Sequence, residues 1–429
     1  MNISIIGSGY VGLGTAIGFM NNGHTVKCID NDRAKVKLIN NARPPVYEDG
    51  LDEFLSAYMQ KSGDLIAYWD YHEVLKTDIT FICVETPSQP DGSIDLTYIE
   101  SAIKELGEAL AHKEENHVVV VKSTVVPGTT QRFIIPLFEK SSGKKVGTDL
   151  GVVVNPEFLR EGEVLHFSRN PFRIVIGVSD EQTANVMEDI YKEFSVPIVR
   201  TDITTAEMIK YASNTFLATR LSFINEIGNI CKKLGVDVEE VAHGMGYDPR
   251  IGDRFLRAGV GFGGSCLPKD VQALICSAKE LGYETALLQA VSELNKDQPL
   301  KLIDIARERL GSLKNKVITV LGLAFKPNTD DIRQAPAITI IAQLLADGAR
   351  VKTYDPRAMP AARAIFPENV EFCNSTPEAV HKSDCVLIVT EWDEFKDENL
   401  YTGKLVIDGR RALDPDRARM ICDYEGICW

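Results

Sequence analysis

The sequence predicts an α/β chain in which two doubly wound, mostly parallel sheets are joined by an all-helical centre. Three observations carry that prediction. Short β-rich runs alternate with helical patterns through the N-terminal part of the chain. The same rhythm returns after "GSLKNK" (311–316). Between the two, β-rich runs stop and apolar positions recur at helical spacing. The expected divisions are 1–200, 201–310 and 311–429.

The first region offers strands at "NISIIG", "TVKCID", "DITFICV", "HVVVVKST", "GVVVNP" and "RIVIGV". Helical stretches such as "LTYIESAIKELGEALAHK" separate several of them, the βαβ pattern of a helix-covered parallel sheet. The centre opens with one long helix from Thr205 to Leu234, capped by Thr204 or Thr205, with Glu207 in its first turn and Gly235 as its stop. Further helices are predicted near 237–244, 270–281 and 286–310, the last kinked or divided at Pro299. "VITVLGLAF", "RVKTYD", "DCVLIVT" and "KLVIDGR" then supply the strands of the second sheet.

Composition narrows the class of function. With 429 residues and a formal charge of −14, the chain lacks the basic face that nucleic acid requires. An anionic small molecule needs only a few local cations and stays open. Nine scattered cysteines without a CxxC pair or metal spacing read as reduced thiols, with no metal site and a cytoplasmic location. The first 26 residues carry no Asp, Glu, Lys or Arg. Six glycines interrupt them and no basic segment precedes them, so a strand, turn and helix explain the stretch better than a leader. No run is long and apolar enough to predict a membrane span.

"GSGYVG", Gly7 to Gly12, follows a strand and opens a helical pattern, with Asp30 ending the next strand. Gly7 suits the tight turn, Gly9 lets backbone approach a pyrophosphate, and Gly12 lets helix and strand pack closely. Tyr10 and Val11 begin a helix whose N-terminus favours phosphate. Asp30 would bond ribose hydroxyls and favour NAD over NADP, although Arg33 and Lys35 nearby weaken that discrimination. "FICVETP", with Thr86, should border the same cofactor.

Other loops at strand ends carry reactive groups. "VKSTVVPGT" holds Thr124, and "NPEFLREGE" holds Glu157 and Glu161; a helix-capping role competes for each. Lys210 and Asn214 are four apart on the long helix and share a face with Glu207, as a solvated charged stripe also would. In "GVGFGGSCLPKD", Cys266 sits behind four glycines, with Lys269 and Asp270 following. Most cysteines are small buried hydrophobes, but a glycine loop lets a ligand approach, and neighbouring cations or a helix N-terminus activate a thiol. The C-terminal region has no GxGxxG; it offers Lys326, Arg333 and Arg410, cations that suit a nucleotide diphosphate.

Taken in order, "GSGYVG", "KSTVVPGT", "NPEFLREG", "AEMIKYASNTFLA", "GVGFGGSCLPKD", "GLAFKPNTDDIR" and "DGR" resemble the UDP-glucose/GDP-mannose dehydrogenase family along essentially the whole chain. The resemblance implies two Rossmann-like domains and a four-electron oxidation of a nucleotide-sugar C6 alcohol to a carboxylate, with two NAD consumed. "REGEVLHFSRNPFRIVIG" and "AFKPNTDDIRQAP" point to UDP-glucose; GDP-mannose or a UDP-N-acetylhexosamine is the alternative. By the same resemblance Cys266 would form a thiohemiacetal and then a thioester. Lys210 and Asn214 would stabilise the oxyanion, Asp270 and Thr124 would move protons, and Glu157 would serve as base for hydrolysis.

The cofactor set implied is Gly7, Gly9, Tyr10, Val11, Gly12, Asp30, Lys35, Thr86, Thr124, Glu161, Lys269 and Arg333. The substrate set is Glu157, Phe158, Leu159, Arg160, Glu161, Lys210, Asn214, Arg250, Arg257, Phe262, Gly263, Phe325, Lys326 and Arg410. The glycines from Gly259 to Gly264 would let backbone pass close to the sugar. A homodimer built on the long helix, with one arginine crossing between subunits, is also implied. Glu85 departs from the smaller or neutral residue common beside the cofactor. A one-step β-hydroxyacid dehydrogenase and a non-catalytic nucleotide-sugar or NAD sensor are the rival readings.

Overall fold

The computed structural model describes residues 1–61 and 65–429. It divides into two compact units, Met1–Ser213 and Asn214–Trp429.

The first unit is built on strands β1 (Asn2–Ile6), β2 (Thr25–Ile29), β3 (Leu65–Tyr68), β4 (Ile79–Ile82), β5 (His117–Val121), β6 (Leu150–Val154), β7 (Ile174–Gly177) and β8 (Ile198–Thr201). They lie in the order β3-β2-β1-β4-β5-β6-β7-β8, all parallel except where β7 runs against β6. β4 and β5 are buried along their whole length, as a sheet covered on both faces requires. All six strands read from the sequence form. The sequence missed β3 and β8, which occupy the two edges; β8 is nowhere buried and so shows no apolar run.

The second unit carries β9 (Val317–Leu321), β10 (Arg350–Tyr354), β11 (Glu371–Phe372), β12 (Cys385–Ile388), β13 (Leu405–Asp408) and β14 (Asp423–Gly426) in the wholly parallel order β11-β10-β9-β12-β13-β14. Its main core joins that sheet to residues of the helices Val238–Gly246 and Ala286–Leu310.

Three details of the helices differ from expectation. The long helix spans Ile203–Leu234, and its cap is Asp202 rather than Thr204 or Thr205. One Asp202 oxygen accepts the Thr205 N–H at 2.9 Å and the other accepts the Thr205 hydroxyl at 2.5 Å. Glu207 lies beyond the first turn, because the helix starts at Ile203; it is 2% exposed and accepts backbone N–H bonds from Gly128 and Thr130. Pro299 does not divide its helix, which runs unbroken from Ala286 to Leu310. Gly228 lies inside the long helix because a Cβ there would come within 2.7 Å of the Cys428 sulfur. Among the described residues, no helix is long and apolar enough to cross a membrane.

Candidate active site

In the first unit the turn after β1 is closed on two sides and open on one. Gly7 has φ +94°, and a Cβ there would stand 2.7 Å from the Cys83 carbonyl oxygen. A Cβ on Gly12 would run into the Gly7 carbonyl, whereas one on Gly9 would meet nothing within 4 Å. Gly9 is the N-cap of the helix Tyr10–Asn21, whose first turn holds no acidic residue and receives no side-chain cap. A diphosphate fits that opening: backbone N–H groups face it and the first turn of the helix sets no carboxylate against it. Val11 packs on the core, and the Tyr10 hydroxyl donates to the Tyr47 carbonyl at 3.1 Å.

Asp30 accepts from Ser8 N at 2.8 Å and from Asp32 N at 2.9 Å, so it fixes the glycine turn. A carboxylate has room for about four such bonds, so acceptor capacity remains for ribose hydroxyls. Lys35 lies in the helix Arg33–Asn40, and the Arg33 guanidinium stacks on Trp69 at 5.4 Å. Thr86 donates its hydroxyl to the Thr124 carbonyl at 2.9 Å, which joins the loops after β4 and β5. Glu207 holds the far end of the Thr124 loop. Glu85 is exposed.

Glu157 and Lys210 meet in the same unit. The Lys210 ammonium donates to Glu157 Oε1 at 2.8 Å, with side chains only 4% and 7% exposed. The other carboxylate oxygen accepts Leu159 N at 2.6 Å. Burial is the strongest single influence on Glu157 and pushes its carboxyl up. The Lys210 charge and hydrogen bond, the Leu159 N–H and the charge of Lys122 together outweigh it and hold the group below the usual range. Phe158 is stacked by the Arg173 guanidinium at 3.8 Å. Arg160 pairs with Glu163 at 3.2 Å, and Glu161 is half-buried. Glu48, 114 and 116 residues earlier in the chain, accepts from Gly162 N and Val164 N and fixes the end of that loop.

The second unit carries the thiol. Cys266 is exposed and is the N-cap of the helix Leu267–Glu280, whose first turn contains Asp270. Asn214 donates to Asp270 Oδ2 at 2.6 Å, and Lys269 pairs with Oδ1 at 2.7 Å. Lys210 and Asn214 follow one another by one turn of the long helix. The glycine loop is pinned by three amides that its own sequence does not announce. Asn225 accepts Gly259 N, Gln298 donates to Gly259 O, and Asn295 bonds both backbone groups of Phe262.

Packing gives the loop glycines a reason of its own. A Cβ on Gly259 would lie 2.7 Å from the Gly409 carbonyl oxygen, and one on Gly264 would lie 2.8 Å from the Phe325 ring. Gly263 backs onto the Gln334 carbonyl. Protein backbone and rings, not open space, fill those directions.

Arg410 donates to the carbonyls of Val389 and Phe325 at 3.0 and 3.3 Å, and Arg257 donates to the Arg410 carbonyl at 3.1 Å. Lys326 lies 5.5 Å from the Phe325 ring centre. Phe325, Lys326, Arg257 and Arg410 are thus gathered with Gly263. Arg250 pairs with Asp248 at 2.6 Å and Arg333 with Asp331 at 2.8 Å, each inside its own turn. Among the described residues, no group of three or more His, Cys, Asp or Glu side chains is placed to hold a metal ion.

Comparison with known proteins gives matches along the whole chain. Residues 1–195, 204–297 and 319–415 match, in turn, the NAD binding, central and UDP binding domains of the UDP-glucose/GDP-mannose dehydrogenase family. A UDP-glucose 6-dehydrogenase of Haloferax volcanii, AglM, is 45% identical over 437 aligned positions covering 100% of each chain. YwqF of Bacillus subtilis, also a UDP-glucose 6-dehydrogenase, is 44% identical, with 97% of this chain and 95% of that one covered. The structure of a UDP-glucose dehydrogenase from Pyrobaculum islandicum superposes with a TM-score of 0.94 at 42% identity, covering 100% of this chain and 98% of that one.

Proposed function

Because the chain belongs to the UDP-glucose/GDP-mannose dehydrogenase family, we propose that it oxidises the C6 alcohol of UDP-glucose to the carboxylate of UDP-glucuronate. Two NAD are reduced for each sugar. The observation that carries the reading is an exposed Cys266 at a helix N-terminus whose first-turn Asp270 is bonded by Asn214. The relatives named UDP-glucose 6-dehydrogenases support the choice of sugar. Labour divides as 1–200 for the cofactor, 201–310 for catalysis and dimerisation, and 311–429 for the nucleotide sugar.

Gly7, Gly9, Gly12, Asp30, Lys35 and Thr86 would hold NAD, which when bound accepts a hydride from the sugar carbon in each oxidation. Lys210 and Asn214 donate to the C6 oxygen as it gains negative charge, the kind of contribution worth about 10²–10³ in rate per donor. Thr124 and Asp270 take the hydroxyl proton through water. The Cys266 thiolate then adds to the aldehyde carbon, making a tetrahedral thiohemiacetal that still carries a hydrogen and an alkoxide on one carbon. Loss of that hydrogen as hydride leaves a thioester on Cys266. Glu157, kept ionised by its cations, removes a proton from water as it attacks the acyl carbon, and the thiolate leaves.

Phe158, Leu159, Arg160, Glu161, Phe262 and Gly263 contact the sugar, while Phe325, Lys326, Arg257 and Arg410 hold the uridine diphosphate. Phe216, Phe223 and Ile230 are exposed on the long helix at seven-residue spacing, which supports a homodimer formed there. Arg250, 87% exposed at its side chain, suits a contact across that interface. Free thiols at all nine cysteines support a cytoplasmic location.

Purified protein assayed with UDP-glucose, GDP-mannose and UDP-N-acetylhexosamines tests this reading by counting NADH per sugar. Two NADH with UDP-glucose are expected. One NADH per substrate would favour a β-hydroxyacid dehydrogenase, and binding without turnover a sensor. Cys266→Ser should end carboxylate formation while NAD binding persists.

A further inference from the structure

Behind Glu157, within the first unit, lies a cavity of about 70 Å³ whose walls include Lys122, Asn155, Glu157, Phe158, Arg173 and Tyr191. Lys122 follows β5 and is 8% exposed. Its ammonium donates to Asn155 Oδ1 at 2.9 Å, and the same oxygen accepts the Tyr191 hydroxyl at 2.5 Å. Asn155 is itself 1% exposed and anchored through its Nδ2 to the Val175 carbonyl at 2.8 Å. A buried ammonium held this firmly, with two of its three donor hydrogens left after Asn155, calls for an explanation that Asn155 does not supply.

The charge count around Glu157 supplies it. If Lys210 were the carboxylate's sole counter-ion, the pair would be neutral and would offer little to an oxyanion. Lys122 lines the same cavity as Glu157, and its charge adds to the stronger influence of Lys210 in favouring the carboxylate, so with both cations counted the cluster keeps one positive charge. An alkoxide on the substrate then completes a neutral set, the arrangement a low-dielectric site favours.

We propose that Lys122 is a positioning residue. It holds Glu157 ionised from the cavity side, so that Lys210 is available to the substrate oxygen and Glu157 to the hydrolytic water. The inference rests on the roles given above to Lys210 and Glu157.

The surrounding groups agree. Cys83 and Tyr191 are kept neutral near pH 7 because burial pushes both upward, Cys83 to about 12. The remaining cation on the cavity wall, Arg173, is stacked on Phe158 and donates to the Ser213 hydroxyl at 3.1 Å. Burial lowers Lys122 to about 8, with Lys210 acting in the same direction and Cys83 and Glu157 opposing, so it is mostly protonated at neutral pH.

The test compares kcat against pH for wild type, Lys122→Met and Lys122→Arg. In Lys122→Met the acid limb should move up by about one pH unit, so that kcat falls about tenfold at low pH and recovers as pH rises. KM for NAD and for the sugar should stay within about twofold, and Lys122→Arg should restore the wild-type limb. A Lys122→Met profile that superimposes on wild type overturns the proposal. Should that variant not fold, infrared spectroscopy of Lys210→Met labelled with ¹³C-glutamate provides the second measurement, with Lys210→Met/Glu157→Gln as blank. Glu157 should remain ionised at pH 7 with Lys122 as its cation, and a protonated Glu157 there overturns the proposal. Full turnover in Glu157→Gln would instead remove Glu157 as the base, a result read separately from the infrared measurement.

Discussion

The two sheets share one plan and use it differently. Gly7 ends β1 with φ +94° and Gly322 follows β9 with φ +93°. Ser8 N donates to Asp30 after β2, just as Leu323 N donates to Asp355 after β10. There the likeness stops. Asp30 receives two backbone donors, whereas Asp355 receives Leu323 N, Ala324 N, Arg357 N, Ala358 N and the Trp392 indole, all within 3.1 Å. Five donors exhaust a carboxylate. In the first sheet a helix starts at Tyr10, directly behind the turn; in the second none starts until Pro336, and the intervening loop carries Lys326 and Arg333. A glycine turn and an acidic strand end are therefore scaffold features. On the function proposed above, a helix start without a side-chain cap and a carboxylate with acceptor capacity left are what would make a dinucleotide site out of them in the first sheet.

The sharpest way to break this contrast is Asp355→Ala. Stranding buried donors should cost about 3–5 kcal/mol of unfolding free energy in urea titrations, with NAD affinity unchanged. A loss of NAD affinity without a stability change would make Asp355 a ligand residue after all.

The lower ends of the sheets differ as well. β5 begins with His117, whose ring bonds Thr80 at 2.7 Å and Lys113 at 3.1 Å, while the second sheet places hydroxyls, Thr319 and Ser383, against each other. Burial, then the Lys113 charge, lowers His117 to about 3. The unfolded chain therefore binds a proton that the folded one refuses between about pH 6.5 and 3, and stability falls as pH drops through that window. Unfolding free energies at pH 7 and pH 4 should differ by on the order of 3 kcal/mol more in wild type than in His117→Gln.

Gly9→Val sharpens the comparison from the cofactor side. Gly9 is extended, at φ −81°, with no neighbour within 4 Å of its Cβ position, so thermal stability should hold. NAD affinity by calorimetry should fall about 100-fold, close to 2.7 kcal/mol, because the branched side chain occupies the diphosphate's space. Gly322→Val should do the reverse, since Thr390 blocks a side chain there. The smallest effect is expected for Lys326→Met: about a tenfold higher KM for the nucleotide sugar, or 1.4 kcal/mol, with NAD affinity untouched.

Much of this was legible beforehand. The glycine turn, Asp30, ten of the strands and the long helix follow from patterns a few residues wide. Four strands were missed, β3, β8, β11 and β14, and all four lie at sheet edges; "DYEG" of β14 also alternates instead of forming an apolar run. Lys122, in the same strand-end loop as Thr124, carries no signal of its own in the sequence, because a lysine in such a loop normally reads as solvated. Asn155, Asn225, Asn295, Gln298 and Glu48 left no signal, since a buried amide or carboxylate looks like a surface one until packing seals it.

The sequence alone determined which chemical groups are present and the local elements that carry them, because periodicity, capping and glycine turns act between near neighbours. Tertiary structure decided which of those groups meet. Lys210 finds Glu157 across 53 residues and Asn214 finds Asp270 across 56, and only burial makes either pairing matter. Charge in a protein interior is governed by what lies around it in space, and no short window of sequence contains that information.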